Sequence, residues 1–170
     1  MASAGNGTTS HLAGELFKMM TGVNMVHVPY RGGGPALTDL IAGRTQAFSA
    51  GTPALMPHIK SGRLRVLAVG MPKRIPALLD TPTVAESGFP GFQALSWSGI
   101  SVARGTPQPV VDRLSAEILK AMDAPDFKER LRSMGSDAPS IRTPEQFASF
   151  VSSELKTYTE LVKRSGAKAD

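Results

Sequence analysis

Apolar positions in the first 70 residues alternate between two periods. Leu12, Leu16, Phe17 and Met20 recur at helical spacing behind Thr8 and Thr9, either of which suits an N-cap, and the run stops near Gly22. Met25, Val26, His27 and Val28 then read as a strand. Pro35 opens a second helix through Leu37, Leu40 and Ile41 to Gly43, and residues 45–49 form a short strand. A third helix runs from about Thr52 to Gly62, and residues 64–69, rich in aliphatic and β-branched side chains, read as another strand. This order of helix and strand, with connections of a few residues, predicts α/β layering around a largely parallel sheet. Ligands of such sheets lie at the carboxyl ends of the strands.

The pattern changes over residues 71–91, where Pro72, Pro76, Pro82 and Pro90 interrupt any long element and mark a crossing between structural units. Within it, Thr83 and Glu86 fit a capping box opening a short helix before Gly88. Residues 92–102 around Trp97 read as a strand region. A helix beginning at Thr106-Pro107 places Val110, Val111, Leu114, Ile118, Leu119 and Met122 on one face. Helices from about Pro125 to Met134 and from Pro144 to Lys163 complete the chain, the last turning Phe147, Phe150, Val151, Leu155, Tyr158 and Leu161 inward. Neither an internal repeat nor a low-complexity segment is evident.

Three junctions carry the chemistry. Gly5-Asn6-Gly7-Thr8-Thr9, Gly32-Gly33-Gly34-Pro35 and Gly51-Thr52-Pro53 each run from a glycine-bearing turn into the first turn of a helix. Glycine allows close backbone approach, Thr and Pro are favoured where helices begin, and the first-turn amides present the positive end of the helix dipole to an anion. Each junction taken singly has a plainer reading as a helix cap.

Composition narrows the partner. In 170 residues, 41% are apolar and 19% charged, sufficient for one ordinary core. The net charge is +5 and the pI about 9.8, but Lys and Arg are scattered, which favours a small anion over nucleic acid. With no cysteine, disulfides and thiolate metal sites are excluded. No apolar stretch approaches the roughly 20 residues that span a bilayer, and the N-terminus lacks a charged segment followed by an apolar one. The chain as written is therefore expected to be soluble, without an export signal.

Longer strings extend the picture. Residues 5–17, beginning Gly5-Asn6-Gly7-Thr8-Thr9-Ser10-His11-Leu12, then Val28-Pro29-Tyr30-Arg31-Gly32, then Pro57-His58-Ile59-Lys60-Ser61-Gly62-Arg63-Leu64-Arg65, resemble the solute-binding proteins of tripartite tricarboxylate transporters, the Bug family. Thr81-Pro82-Thr83-Val84-Ala85-Glu86-Ser87-Gly88, Ser96-Trp97-Ser98-Gly99 and Gly105-Thr106-Pro107 agree in order and spacing. The resemblance implies part of a periplasmic-binding-protein-like two-domain clamp, α/β with a mostly parallel sheet and flanking helices, closing on a small carboxylate. It also implies periplasmic localisation and membrane transporter subunits as partners. Family members carry a long segment before the Gly-Asn-Gly-Thr motif. Residues 1–70 then correspond to part of the ligand-binding second domain, 71–91 to a crossing segment and 92–170 to the returning part of the first. Apolar surface left uncovered by such a division makes a homo-oligomer an expected outcome.

Carried over position by position, the resemblance implies that Asn6, Gly7, Thr8 and Thr9 form a carboxylate-holding loop with His11 beside it, that Tyr30, Arg31, Gly32 and Gly33 form a second loop, and Ala50, Gly51 and Thr52 a third. Some members place an acidic or polar ligand contact where this chain has Ala50. No cofactor is implied. His11, His27 and His58 stand apart and never at the i, i+4 spacing of helical metal ligands, so no metal site is expected. Arg31 could clamp a carboxylate or be a solvated cation, Trp97 could wall a cleft or pack in the core, and Asp39 reads as solvated. An enzyme is the competing class, a small α/β hydrolase using Thr8 or Ser10 with His11. It lacks an identifiable acid partner, a Gly-x-Ser-x-Gly elbow and a phosphate loop. A non-binding truncated scaffold is the third reading.

Overall fold

A computed structural model describes residues 1–136 and 139–168. The site is organised by β1 (Ala2–Ser3), a strand the periodicity does not announce, since only four residues precede the first glycine turn. β1 pairs in parallel with β2 (Val28–Pro29), Ala2 opposite Val28 and Ser3 opposite Pro29, and on its other side Ala2 forms a parallel bridge with Phe48. The Ala2 amide donates to the Ala47 carbonyl at 2.8 Å, and the Val28 amide to the Met1 carbonyl at 2.9 Å. Ala2 and Ser3 are fully buried.

Each of these three extended segments runs into a helix: α1 (Thr9–Thr21), α2 (Gly33–Ile41) and α3 (Thr52–Lys60). α1 ends on Gly22 in the left-handed region, its amide bonded to the Lys18 carbonyl, as expected of a glycine C-cap. α2 begins before Pro35 rather than at it. A 3₁₀ turn (Pro76–Leu78) interrupts the proline-rich crossing. The Thr83–Glu86 capping box forms, Thr83 N to Glu86 Oε2 at 2.7 Å and Glu86 N to Thr83 Oγ1 at 3.0 Å, but closes a turn rather than a regular helix. Then come α4 (Gln108–Asp123), α5 (Pro125–Ser133) and α6 (Pro144–Ser165), the last opened by a Thr143–Gln146 capping box.

The strands depart from expectation. β2 covers only the end of the segment read at 25–28, residues 45–49 contribute the single bridge at Phe48, and residues 64–69 contribute one bridge, Val69 to Thr83. Residues 92–102 join no ladder among the described residues. β-propensity describes fit to a pleated, half-buried surface, and without a neighbouring strand it yields only extended chain.

Burial is uneven. The buried apolar side chains, among them Leu12, Ala36, Met56, Val69, Ile75 and Phe92, all precede α4, and α4, α5 and α6 contain no fully buried residue. Leu155, expected to face inward, is 68% exposed, and Val110 and Leu114 of the expected α4 face are also exposed. α6 is held through its aromatics: Trp97 packs edge-on against Phe147 and Phe150, its Nε1 donates to Glu154 Oε2 at 3.0 Å, and Tyr158 donates to the Leu95 carbonyl at 3.1 Å. α5 docks through its end, where Gly135 lies so close to Thr52 and Met56 that a Cβ would stand 2.7 Å from Thr52 Cγ2.

The chain exposes 11186 Å². A monomer of its 17.9 kDa exposes about 8,000 Å². The excess, roughly 3,000 Å² on one chain, is at least as large as the roughly 1,000–2,500 Å² that each partner buries in an obligate interface. The isolated 170-residue chain is therefore expected to self-associate. Light scattering over a concentration series checks this, and a compact 17.9 kDa particle at every concentration would contradict it.

Candidate functional site

Because the three segments are parallel, their carboxyl ends emerge on one side and the starts of α1, α2 and α3 gather there. The first two loops touch through backbone: the Tyr30 amide donates to the Ser3 carbonyl at 3.1 Å and the Gly32 amide to the Ala4 carbonyl at 3.0 Å. Gly5, at φ 130°, needs to lack a side chain, since a Cβ would stand 3.1 Å from the Tyr30 carbonyl oxygen. Gly32 caps α2 at φ 111°. The third loop, Ala50-Gly51 into Thr52, is approached by the returning chain, Ser96 Oγ lying 3.8 Å from where a Cβ of Gly51 would be.

The first loop is held by a chain of hydroxyls. The Ala4 amide donates to Ser10 Oγ at 2.9 Å, Ser10 Oγ lies 2.9 Å from Thr8 Oγ1, and Thr8 Oγ1 donates to the Gly5 carbonyl at 2.6 Å. Thr8 Oγ1 also caps α1 by accepting from the His11 amide at 3.4 Å. The Gly5 amide donates to Ser3 Oγ at 3.1 Å and the Gly7 amide to His11 Nδ1 at 3.0 Å. Thr8 is thus the helix cap, and Thr9 and Gly7 are exposed at the mouth of the loop.

His11 and His27, read from sequence as standing apart, are stacked: their ring centroids are 3.9 Å apart with planes 6° from parallel. His27 Nε2 lies 2.6 Å from Ser3 Oγ, and His11 Nε2 lies 3.7 Å from Glu15 Oε1. Burial, followed by the neighbouring His11, pushes the His27 imidazole below its ordinary value. Ser3 is a structural member of the site that sequence reasoning did not single out, while Ser10 was considered only as a nucleophile and His27 only as a metal ligand. The run of Ser and Thr around the first glycine turn was a usable signal for the hydroxyls, but nothing in the spacing joins the two histidines.

In the second loop, the Tyr30 hydroxyl donates to Asp39 Oδ2 at 2.9 Å, and Arg44 Nη1 donates to Asp39 Oδ1 at 2.7 Å. Asp39, read as solvated, is the group that turns Tyr30 toward α2. The Arg44 bond and then Tyr30 lower the Asp39 carboxyl, and the bond to Asp39 raises the Tyr30 phenol. Arg31 is exposed. None of α1, α2 and α3 carries an acidic residue in its first turn, so none of them neutralises its own positive end.

An open cleft of about 550 Å³ flanks the first loop, with Gly7, Thr9 and Leu12 on one wall and Trp97, Tyr158 and Lys163 on the other. Trp97 thus both packs on α6 and walls a cleft. Of the expected ligand residues only Gly7 and Thr9 reach this cleft; Tyr30, Arg31 and the third loop lie outside its lining. For hydrolysis, Thr8 and Ser10 bond each other and the backbone, while the hydroxyl beside an imidazole, Ser3, has no exposed surface. Among the described residues no cluster of three or more potential metal-ligating side chains occurs, and no helix is long and apolar enough to cross a membrane.

Helix N-termini gathered at the carboxyl ends of parallel strands define an α/β lobe of the periplasmic-binding-protein class. The chain belongs to the tripartite tricarboxylate transporter family receptors, whose model it matches over residues 1–167. It is 42% identical over 166 residues to a UPF0065 protein from a Pseudomonas species, a match covering 95% of this chain and 48% of that protein. The chain spans about half the length of the curated relatives it matches. Among solved structures, Rpa4515 of R. palustris with adipate superposes with a TM-score of 0.93 at 34% identity, covering 99% of this chain and 56% of that one. The periplasmic binding protein BugD superposes at 0.92, also at 34% identity, covering 99% and 57%. The family is one of periplasmic solute-binding proteins, not of enzymes.

Two outcomes are expected. Thr8→Val removes the cap and the hydroxyl chain and costs on the order of 1 kcal/mol, whereas Thr9→Val, at an exposed position, changes stability by less than about 0.5 kcal/mol; urea denaturation compares them. His27 is held below its ordinary value, so the unfolded chain binds a proton that the folded chain refuses. Its contribution is complete above about pH 6.5 and is lost as pH falls through the folded value. Melting temperature should drop between pH 7.5 and 5.5, above the range of the lowered carboxyls, and His27→Gln should reduce that drop.

Proposed function

We propose that this chain binds a small carboxylate solute at the three gathered helix starts, as part of a receptor serving a tripartite tricarboxylate transport system. The observation that carries the reading is the convergence of three first turns without acidic residues, with Arg31 exposed in the middle loop. First-turn amides stabilise an anion by hydrogen bonding and by the dipole, and a guanidinium adds a bidentate partner. The relative solved with adipate supports a dicarboxylate as the ligand class. In this reading Asn6, Gly7, Thr9, Arg31, Gly32, Gly33, Gly51 and Thr52 face the solute, Thr8 and His11 shape the first loop, and Tyr30 fixes the second through Asp39. Ala50 offers no polar contact, leaving selection of the solute's polar substituents to other positions. Periplasmic placement, membrane transporter subunits as partners, and the division into residues 1–70, 71–91 and 92–170 belong to the same proposal.

An open cleft leaves water around the charges and keeps the electrostatic gain modest. Isothermal titration of the 170-residue chain with adipate is expected to give millimolar affinity. Arg31→Ala should weaken it about tenfold without shifting the melting temperature. Equal affinity for a neutral diamide of the same length would overturn the carboxylate reading.

A further inference from the structure

The Gly7 amide has an acceptor that exists only in one protonation state. Its partner is His11 Nδ1 at 3.0 Å, and an imidazole nitrogen that carries a proton cannot accept. His11 is 7% exposed, lies face to face with His27 at 3.9 Å, and sits on the same turn as the Thr8 cap. We propose that His11 is a positioning residue that makes the ligand loop acid-sensitive: the neutral ring holds the Gly7 amide in place, and protonation at Nδ1 releases it.

The groups facing His11 come from three directions. Its own helix supplies Glu15, 3.7 Å from Nε2, and Lys18, which pairs with Glu15 at 2.8 Å. The segment before β2 supplies His27, and the strand start supplies the Met1 ammonium, bonded to the Val26 carbonyl at 2.6 Å. Charges of both signs thus bear on the ring together. Wherever the balance falls, the first proton at His11 Nδ1 places two donors nose to nose and Gly7 must move. The rest of the loop keeps its ties, Ala4 to Ser10 and Gly5 to Ser3, so the change is local to Gly7, at the mouth of the cleft. The effect on solute binding rests on the carboxylate reading above; the loop rearrangement does not.

The test is therefore run first without solute. In ¹H–¹⁵N spectra of the 170-residue chain between pH 8 and 5.5, the Gly7 amide should titrate with the midpoint of the His11 ring and lose its protection from solvent exchange. His11→Asn, whose Oδ1 can stand where Nδ1 does, should keep the protection and abolish the titration. A Gly7 amide that stays unmoved while His11 titrates, or that titrates unchanged in the Asn variant, overturns the proposal. Adipate is then titrated at pH 8 and pH 6 into both proteins, so that its own protonation cancels. Several-fold loss in the wild type relative to His11→Asn supports the functional consequence, and equal loss in both overturns it. Absence of adipate binding at pH 8 removes the carboxylate reading instead, and the amide titration still decides the role of His11.

Discussion

Everything at the candidate site depends on β1 being paired on both sides. Its two residues offer little side-chain packing of their own, yet Ala2 and Ser3 are fully buried and their backbone groups join the Val28 segment to the Phe48 segment. A parallel pair leaves its strands pointing the same way, so three loops emerge together and three helices begin together. The close approach of Gly5 to the Tyr30 carbonyl extends that pairing into the loops themselves. A side chain larger than alanine at position 2 has no room, and displacing this strand would separate all three helix starts at once.

The polar side chains of the first loop are turned inward. Ser3, Thr8, Ser10 and His11 each satisfy a backbone group of residues 4–7, and a hydroxyl chain of this kind strengthens its members by mutual polarisation. The polar groups left open around the gathered helix starts include first-turn amides, the Thr9 side chain and the Arg31 guanidinium.

Helices were legible in the sequence because their signals are local. The spacing of Leu12, Leu16 and Phe17, the glycine at 22 and the proline at 144 each act within a turn or two, and the observed helices begin or end close to where these residues stand. Strands were not, because a ladder depends on a partner elsewhere in the chain. Residues 64–69 have the right composition and form a single bridge, while β1 has almost no composition to read and is central. At the site, the glycine junctions were visible as motifs and the structure brings them to one side. The stacking of His11 on His27 was not visible, since it arises from a crossover connection that spacing does not encode. Asp39 was misread for the same reason: its partner Tyr30 lies on another element.

The buried apolar side chains are confined to residues before α4. They come from β1, α1, α2, α3 and the chain from Val69 to Phe92. α6 lies against α1 and against the chain around Trp97, and α5 meets α3 where Gly135 approaches Thr52 and Met56. Local opening is easiest where few apolar groups are buried, and in this chain that describes α4, α5 and α6. The cleft lies between these two parts, with Gly7 and Thr9 on one wall and Tyr158 and Lys163 on the other. Its width therefore depends on how α6 seats against α1 and the Trp97 segment, and not on the glycine loops alone.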